Sequence, residues 1–264
     1  MSSRLLKSLK LFNVDHTLYS ITKDIRDTIE ERGKQGILIN IKNKAESILL
    51  SAIGVRTLRN PGRVNAIYFI SERRYKMPPN LDKLMKFLRI SYEYIEIGSL
   101  ARDINSYIRA YIPTKKDYAN EVIEALILRE IADTRNLLLL GDITRTDWLL
   151  GIFNQIYMKT MDLLPLTKIY KTQVRRLISR LHILQYTKGA DIDEDWNLFK
   201  NNIKLQDDLI IDAILEGIVS SKTDEEILED LKPVTSGITI DTITTIRQIF
   251  EDAYFKRNTP IALL

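Results

Sequence analysis

Four short apolar runs constrain this chain more than any other feature: Gly36–Ile41 (GILINI), Val64–Ile70 (VNAIYFI), Tyr92–Ile97 (YEYIEI) and Leu137–Leu140 (LLLL). Each is too short for a core helix and rich in branched or aromatic side chains, and each is separated from the next by helical spacing. Leu18, Ile21, Ile25 and Ile29 mark a helix over His16–Arg32 ahead of the first run. Glu46–Ile53, closed by Gly54, Asn80–Leu88 with Asn80 as N-cap, and Asp117–Thr134 fill the gaps between runs. Strands alternating with helices imply right-handed crossovers and a parallel sheet covered on both faces. The expected fold is therefore α/β, with four or five parallel strands.

No strand pattern follows Leu140. Helices are expected near Thr146–Tyr157, Lys171–Leu181, Asp207–Glu216 and Asp241–Arg257, with a Thr223/Glu226 capping box before another. No linker or repeat divides the chain. It reads as a single domain over residues 1–264, with a sheet core at 1–180 and a helical C-terminal part at 181–264.

With 264 residues, 45% apolar and 28% charged, the chain can bury a full core and is not disordered. No apolar run approaches the ~20 residues of a membrane span. Lys7 and Lys10 interrupt the N-terminal apolar stretch, which therefore lacks a signal peptide's core. The absence of cysteine rules out disulfides, thiolate metal sites and a thiol nucleophile, and two histidines leave little for a multi-histidine metal centre. These features point to a cytoplasmic protein. Abundant Ile, Lys, Arg and Glu without Cys fit a thermophile. A net charge of +4 arises from 39 basic and 35 acidic residues, a mixed surface that gives nucleic acid little support as a partner. The pairs Arg73-Arg74 and Lys115-Lys116 read as solvated surface. His16 and His182 lack the partner spacing of a triad or metal site, and Asp191–Asp195 lacks an EF-hand's glycine and ligand spacing.

The richest segment is Leu137–Leu177, a buried strand followed by Gly141, a tight turn and helices. Open parallel sheets bind ligands at such carboxyl ends of strands. Gly141, Gly151, Phe153, Asp162, Pro165 and the run Tyr170-Lys171-Thr172-Gln173-Val174-Arg175 stand in an order and spacing that resembles the ammonia-dependent NAD synthetases. The likeness continues through Gly189–Asp195 and Lys256-Arg257 with Pro260, and covers most of the chain. It implies the adenine-nucleotide alpha-hydrolase type of fold, a homodimer, and ATP with Mg²⁺ as cofactors if activity is retained. In the reaction it implies, ATP adenylates the carboxylate of nicotinate adenine dinucleotide and ammonia displaces AMP.

The departures from that family fall on its phosphate-handling residues. Its Ser-Gly-Gly-x-Asp-Ser loop, which cradles pyrophosphate, corresponds to Lys42-Asn43-Lys44-Ala45-Glu46-Ser47. Both glycines are gone, and glycine is what lets a backbone reach positive φ and approach phosphate closely. Asp142 replaces the Thr after Gly141, Ile156–Thr160 replaces a Tyr-Gly-Asp-Gly-Gly segment, and Gly189 stands for a phosphate-holding Ser or Thr. The resemblance leaves Lys42, Lys44, Ser47, Asp162 and Lys171 as a vestigial nucleotide and phosphate site. Glu46 and Asp147 stand where the family has Asp and Glu on its metal, a reciprocal exchange of length. Two carboxylates suit a hard ion, yet acids in first helical turns are favoured by the macrodipole without any metal, and the residues alone favour that plainer reading. Two functions stay open. One is a pseudoenzyme that keeps scaffold and dimer for a binding role, including pairing with another protein. The other is a divergent ATP- and Mg²⁺-dependent amide ligase.

Overall fold

The computed structural model describes residues 3–71, 76–111, 119–190, 194–235 and 237–258. Arg73, Arg74, Tyr75, Lys115, Lys116, Asp191–Asp193 and Pro260 lie outside them. In chain order the elements are α1 (Arg4–Lys10), α2 (Val14–Glu31), β1 (Gly36–Asn40), α3 (Ala45–Leu58), β2 (Val64–Ile70), α4 (Pro79–Leu88), β3 (Ser91–Glu96), α5 (Gly98–Tyr111), α6 (Ala119–Thr134) and β4 (Leu137–Leu140). The second half holds α7 (Arg145–Leu150), α8 (Gln155–Thr160), α9 (Lys171–Arg180), α10 (Glu194–Ile203), α11 (Asp208–Val219), α12 (Asp224–Leu231) and α13 (Ile240–Asn258).

The strands form one four-stranded sheet in the order β3-β2-β1-β4, and every pairing is parallel. An isolated parallel bridge from Leu140 to Leu163 covers the outer edge of β4 where a fifth strand would stand. Side chains of β1 and β4 alternate between two cores, as strand geometry demands. Ile37, Ile39, Leu138 and Leu140 pack with α2, α3 and α9 residues such as Ile25, Ile53 and Leu177. Leu38, Leu137 and Leu139 pack on the other face with Ala125 and Leu128 of α6 and with Tyr157 of α8. A third core joins α1, α7 and α10–α13 through residues such as Leu5, Leu150, Ile211, Ile214, Ile227 and Ile246. The Asp230 carboxylate accepts from the Arg4 amide at 2.9 Å, so α1 is tied to the C-terminal helices.

Local chemistry moves several helix ends from where the residues alone place them. Pro79, not Asn80, opens α4; its fixed φ suits a first helical position. The Asn80 amide instead donates to Asn43 Oδ1 at 3.1 Å and to the Tyr186 carbonyl at 2.9 Å. Helix α3 runs through Gly54 to Leu58, because Gly54 serves close packing on Ile37 and not a cap. The helix expected over Thr146–Tyr157 is two helices. Gly151 at φ +66° ends α7, and the Asn154 side chain caps α8. Among the described residues, no helix is long and apolar enough to cross a membrane.

Candidate functional site

Beyond the carboxyl ends of β1 and β4 lies a cleft lined by Lys42, Lys44, Glu46, Asp142, Asp147 and Lys171, together with Glu121, Phe153, Tyr157 and Asp195. Most of the candidate residues read from the sequence therefore meet in one place. The loop from β1 to α3 is closed down on Ser47, whose Oγ accepts from the Lys42 amide at 2.8 Å and donates to the Asn40 carbonyl at 3.2 Å. Lys44 is the N-cap of α3 with φ −117° and ψ 149°, an extended conformation. None of residues 42–47 has positive φ. Converging amides around an anion need alternating right- and left-handed residues, and this loop offers none. Asn43 is buried and its amide donates to the Gly189 carbonyl at 2.7 Å, so a side chain bridges the two family phosphate positions.

The lysines are held by carboxylates. Lys42 Nζ lies 3.1 Å from Glu124 Oε2 and 4.8 Å above the centre of the Tyr157 ring. Burial opposes the Lys42 ammonium, but Tyr157, Glu124, Asp142 and Glu121 outweigh it and hold its pKa above the ordinary lysine value. Asn40 adds a 2.8 Å hydrogen bond to Glu124. Lys171 Nζ lies 3.0 Å from Asp147 Oδ1 and 3.4 Å from Glu46 Oε1, with side-chain exposures of 12%, 9% and 12% for the lysine, Asp147 and Glu46.

Helix packing sets this second cluster. Thr144 and Asp147 form a capping box at the start of α7, so Asp147 Oδ2 accepts from the Thr144 amide and hydroxyl at 3.1 and 2.6 Å. The Lys171 amide donates to Thr146 Oγ1 at 2.8 Å, and that hydroxyl donates to Asp212 Oδ1 at 2.7 Å. Asp212 Oδ2 accepts from the Thr172 amide and hydroxyl at 3.0 and 2.6 Å. A fully buried carboxylate on α11 thus pins α7 and α9 together. Burial pushes its pKa up to about 6, against the lowering effect of the Thr146 and Thr172 hydrogen bonds.

The space left between these side chains is about 80 Å³, far below the several hundred Å³ of an ordinary small-molecule site. A neighbouring hollow of about 530 Å³ shares Glu121, Phe153, Asn154 and Asp195 with the cleft. A divalent cation does not fit Glu46 and Asp147 as they stand. Lys171 lies within ion-pair distance of both, and each oxygen of Asp147 already accepts a hydrogen bond.

Asp162 is not at the cleft. Its carboxylate accepts from the Leu139 amide at 2.8 Å and from Arg129 Nη1 at 2.9 Å, fastening the segment after α8 to β4. Sequence reasoning missed Glu124 and Glu121, which stand three apart on one face of α6. It also missed Tyr157, which replaces part of a family motif. His16 and His182 are exposed at helix ends.

A parallel sheet with a cleft outside the carboxyl ends of its strands defines a protein of the open-sheet α/β class, whose members bind ligands at that position. The sequence model of the NAD synthase family matches residues 17–260, and the chain belongs to that family. The NH3-dependent NAD+ synthetase of Aeropyrum pernix is 24% identical over 259 residues, covering 91% of this chain and 86% of the relative. That of Thermococcus kodakarensis is 25% identical over 255 residues, covering 92% and 94%. Among solved structures, the Campylobacter jejuni NH3-dependent NAD synthetase in complex with nitrate superposes with a TM-score of 0.73 at 18% identity, covering 96% of this chain and 100% of that one. The NMN synthetase of Francisella tularensis gives 0.70 at 15% identity, covering 96% and 98%.

Proposed function

We propose that this chain is a non-catalytic member of the NAD synthase family, a pseudoenzyme that keeps the scaffold for a binding role and has lost ATP-dependent amidation. The observation that carries this reading is the β1–α3 loop. Where the resemblance puts a glycine cradle for pyrophosphate, Lys42 turns inward to Glu124, Asn43 is spent on Gly189 and Asn80, and Lys44 is extended. Adenylation needs preorganised donors aimed at the leaving pyrophosphate. Mobile ammonium groups already paired with carboxylates supply charge without that preorganisation. The family's homodimer is the expected assembly, and exposed Tyr107, Leu126 and Ile156 on α5, α6 and α8 leave apolar surface for it. A cytoplasmic location goes with this reading.

One observation favours a second reading, a divergent ATP- and Mg²⁺-using amide ligase: Glu46, Asp147 and Lys171 converge within ion-pair distance in the cleft. That reading requires Lys171 to leave both carboxylates so that they can hold the metal while it turns to phosphate. The test is a pyrophosphate-release assay with ATP, Mg²⁺, nicotinate adenine dinucleotide and ammonia. The pseudoenzyme reading expects release no faster than in buffer; turnover dependent on the dinucleotide overturns it.

A further inference from the structure

We propose that Arg145 and Trp148, with the apolar groove beside them, form a binding site for a small organic anion: a carboxylate carried on an aromatic or branched apolar body. The groove holds about 400 Å³ and is lined by Arg145, Trp148, Leu149, Leu164, Thr167 and Val219. It shares none of these with the cleft lining, so the proposal does not depend on whether the cleft binds a nucleotide. Arg145, Trp148 and Leu149 stand at i, i+3 and i+4 on α7, one face of that helix. Thr146, Asp147 and Leu150 are buried on its other side.

The charge at this groove is what calls for a ligand. Among the described residues Arg145 has no ion pair, and its Nε is buried without a hydrogen-bond partner. Its guanidinium lies 5.1 Å over the Tyr170 ring, which fixes its plane. The Tyr170 hydroxyl donates to Glu216 at 2.8 Å, and among the described residues no carboxylate stands within ion-pair distance of Arg145. A guanidinium with no carboxylate in ion-pair distance, on the wall of an apolar groove, is complementary to a ligand that carries negative charge. A planar guanidinium is matched by a carboxylate, which it grips through paired N–H donors. Trp148, stacked on Phe153 at 5.7 Å between ring centres, supplies an aromatic wall. The hydroxyl of Thr167 already donates to the Leu164 carbonyl at 2.7 Å. Leu149, Leu164 and Val219 offer only apolar surface, so the body of the ligand has to be apolar.

The chain has two tryptophans, and Trp148 lines the groove while Trp196 does not, so an emission change that is lost in Trp148→Phe and kept in Trp196→Phe reports on the groove. Titration of the full chain with phenylacetate should give a saturable change in emission that Trp148→Phe abolishes. Phenylacetamide, of equal shape and no charge, should give none. Calorimetry with Arg145→Met should show phenylacetate binding weakened about tenfold or more, the loss expected for a hydrogen-bonded charge. If Arg145→Met fails to fold by circular dichroism, Val219→Phe, which fills the groove from the end of α11, serves instead and should block binding. Equal binding of acid and amide, binding indifferent to both variants, or no saturable change with phenylacetate overturns the proposal.

Discussion

Lys171 bridges two carboxylates that would otherwise face each other with little water between them. Removing one partner of such a group leaves uncompensated charge, which costs far more than the pair contributes when intact. Lys171→Met should therefore lower stability by about 3 kcal/mol in urea denaturation. Adding Glu46→Gln to it should recover part of that loss. A loss below about 0.5 kcal/mol, the scale of an exposed pair, would show that the cluster is loose. Asp212 gives a second residue-scale test with a definite sign. Its pKa in the folded chain is raised to about 6, so the folded state holds the proton more tightly than the unfolded one. The stability this contributes is present below the unfolded value near 4 and is lost as pH rises through about 6. The stability of the parent minus that of Asp212→Asn should accordingly fall by roughly 2 kcal/mol between pH 4 and pH 7. A difference independent of pH contradicts the assignment. Neither role was legible from the sequence. Lys171 stood out through its family motif, but Asp212 is one acid in an apolar helix, and only the packing of α7 and α9 around it gives it a task.

At the scale of elements, the strands were legible and the helix ends less so. Val64–Ile70 and Leu137–Leu140 are strands at the bounds their residues suggest, and the other two differ by a residue or so at their ends. Runs buried on both faces leave little freedom of placement. Helix α5 was not foreseen, although Leu100, Ile104, Ile108 and Tyr111 recur at helical spacing; it begins at Gly98, whose backbone lies against that of Ser71 where no Cβ could fit. The break between α7 and α8 has a different cause. Gly151 sits at φ +66°, and a Cβ there would lie 2.9 Å from that of Ala253 on α13. Gly151→Ala should cost roughly 1–2 kcal/mol for the left-handed backbone alone, with a further penalty from α13, read as a drop in melting temperature. An unchanged melting temperature would mean that α7 and α13 are not packed as described. The β1–α3 loop shows what sequence can say about a site and what it cannot. Missing glycines led to the expectation of a reshaped loop, because no other residue adopts positive φ cheaply, and none of residues 42–47 has positive φ. That Asn43 would reach Gly189, or Lys42 reach Glu124 across the sheet, depended on long-range packing.

For the whole molecule, ancestry is shown and the loss of activity is the proposal. The order of strands, the position of the cleft and the match over residues 17–260 place the chain in the NAD synthase family. The family motif in the second half keeps its lysine at the cleft, while Asp162 has become a fastening between β4 and Arg129. The cleft where the resemblance puts a nucleotide holds Lys42 beside Glu124 and Lys171 beside Glu46 and Asp147, with about 80 Å³ between its walls. On the proposed reading, a nucleotide entering this cleft has to break those pairs. Isothermal titration of the full chain with ATP in the presence of Mg²⁺ tests this directly. The account predicts no saturable heat; saturable, Mg²⁺-dependent binding that Lys171→Met abolishes would contradict it.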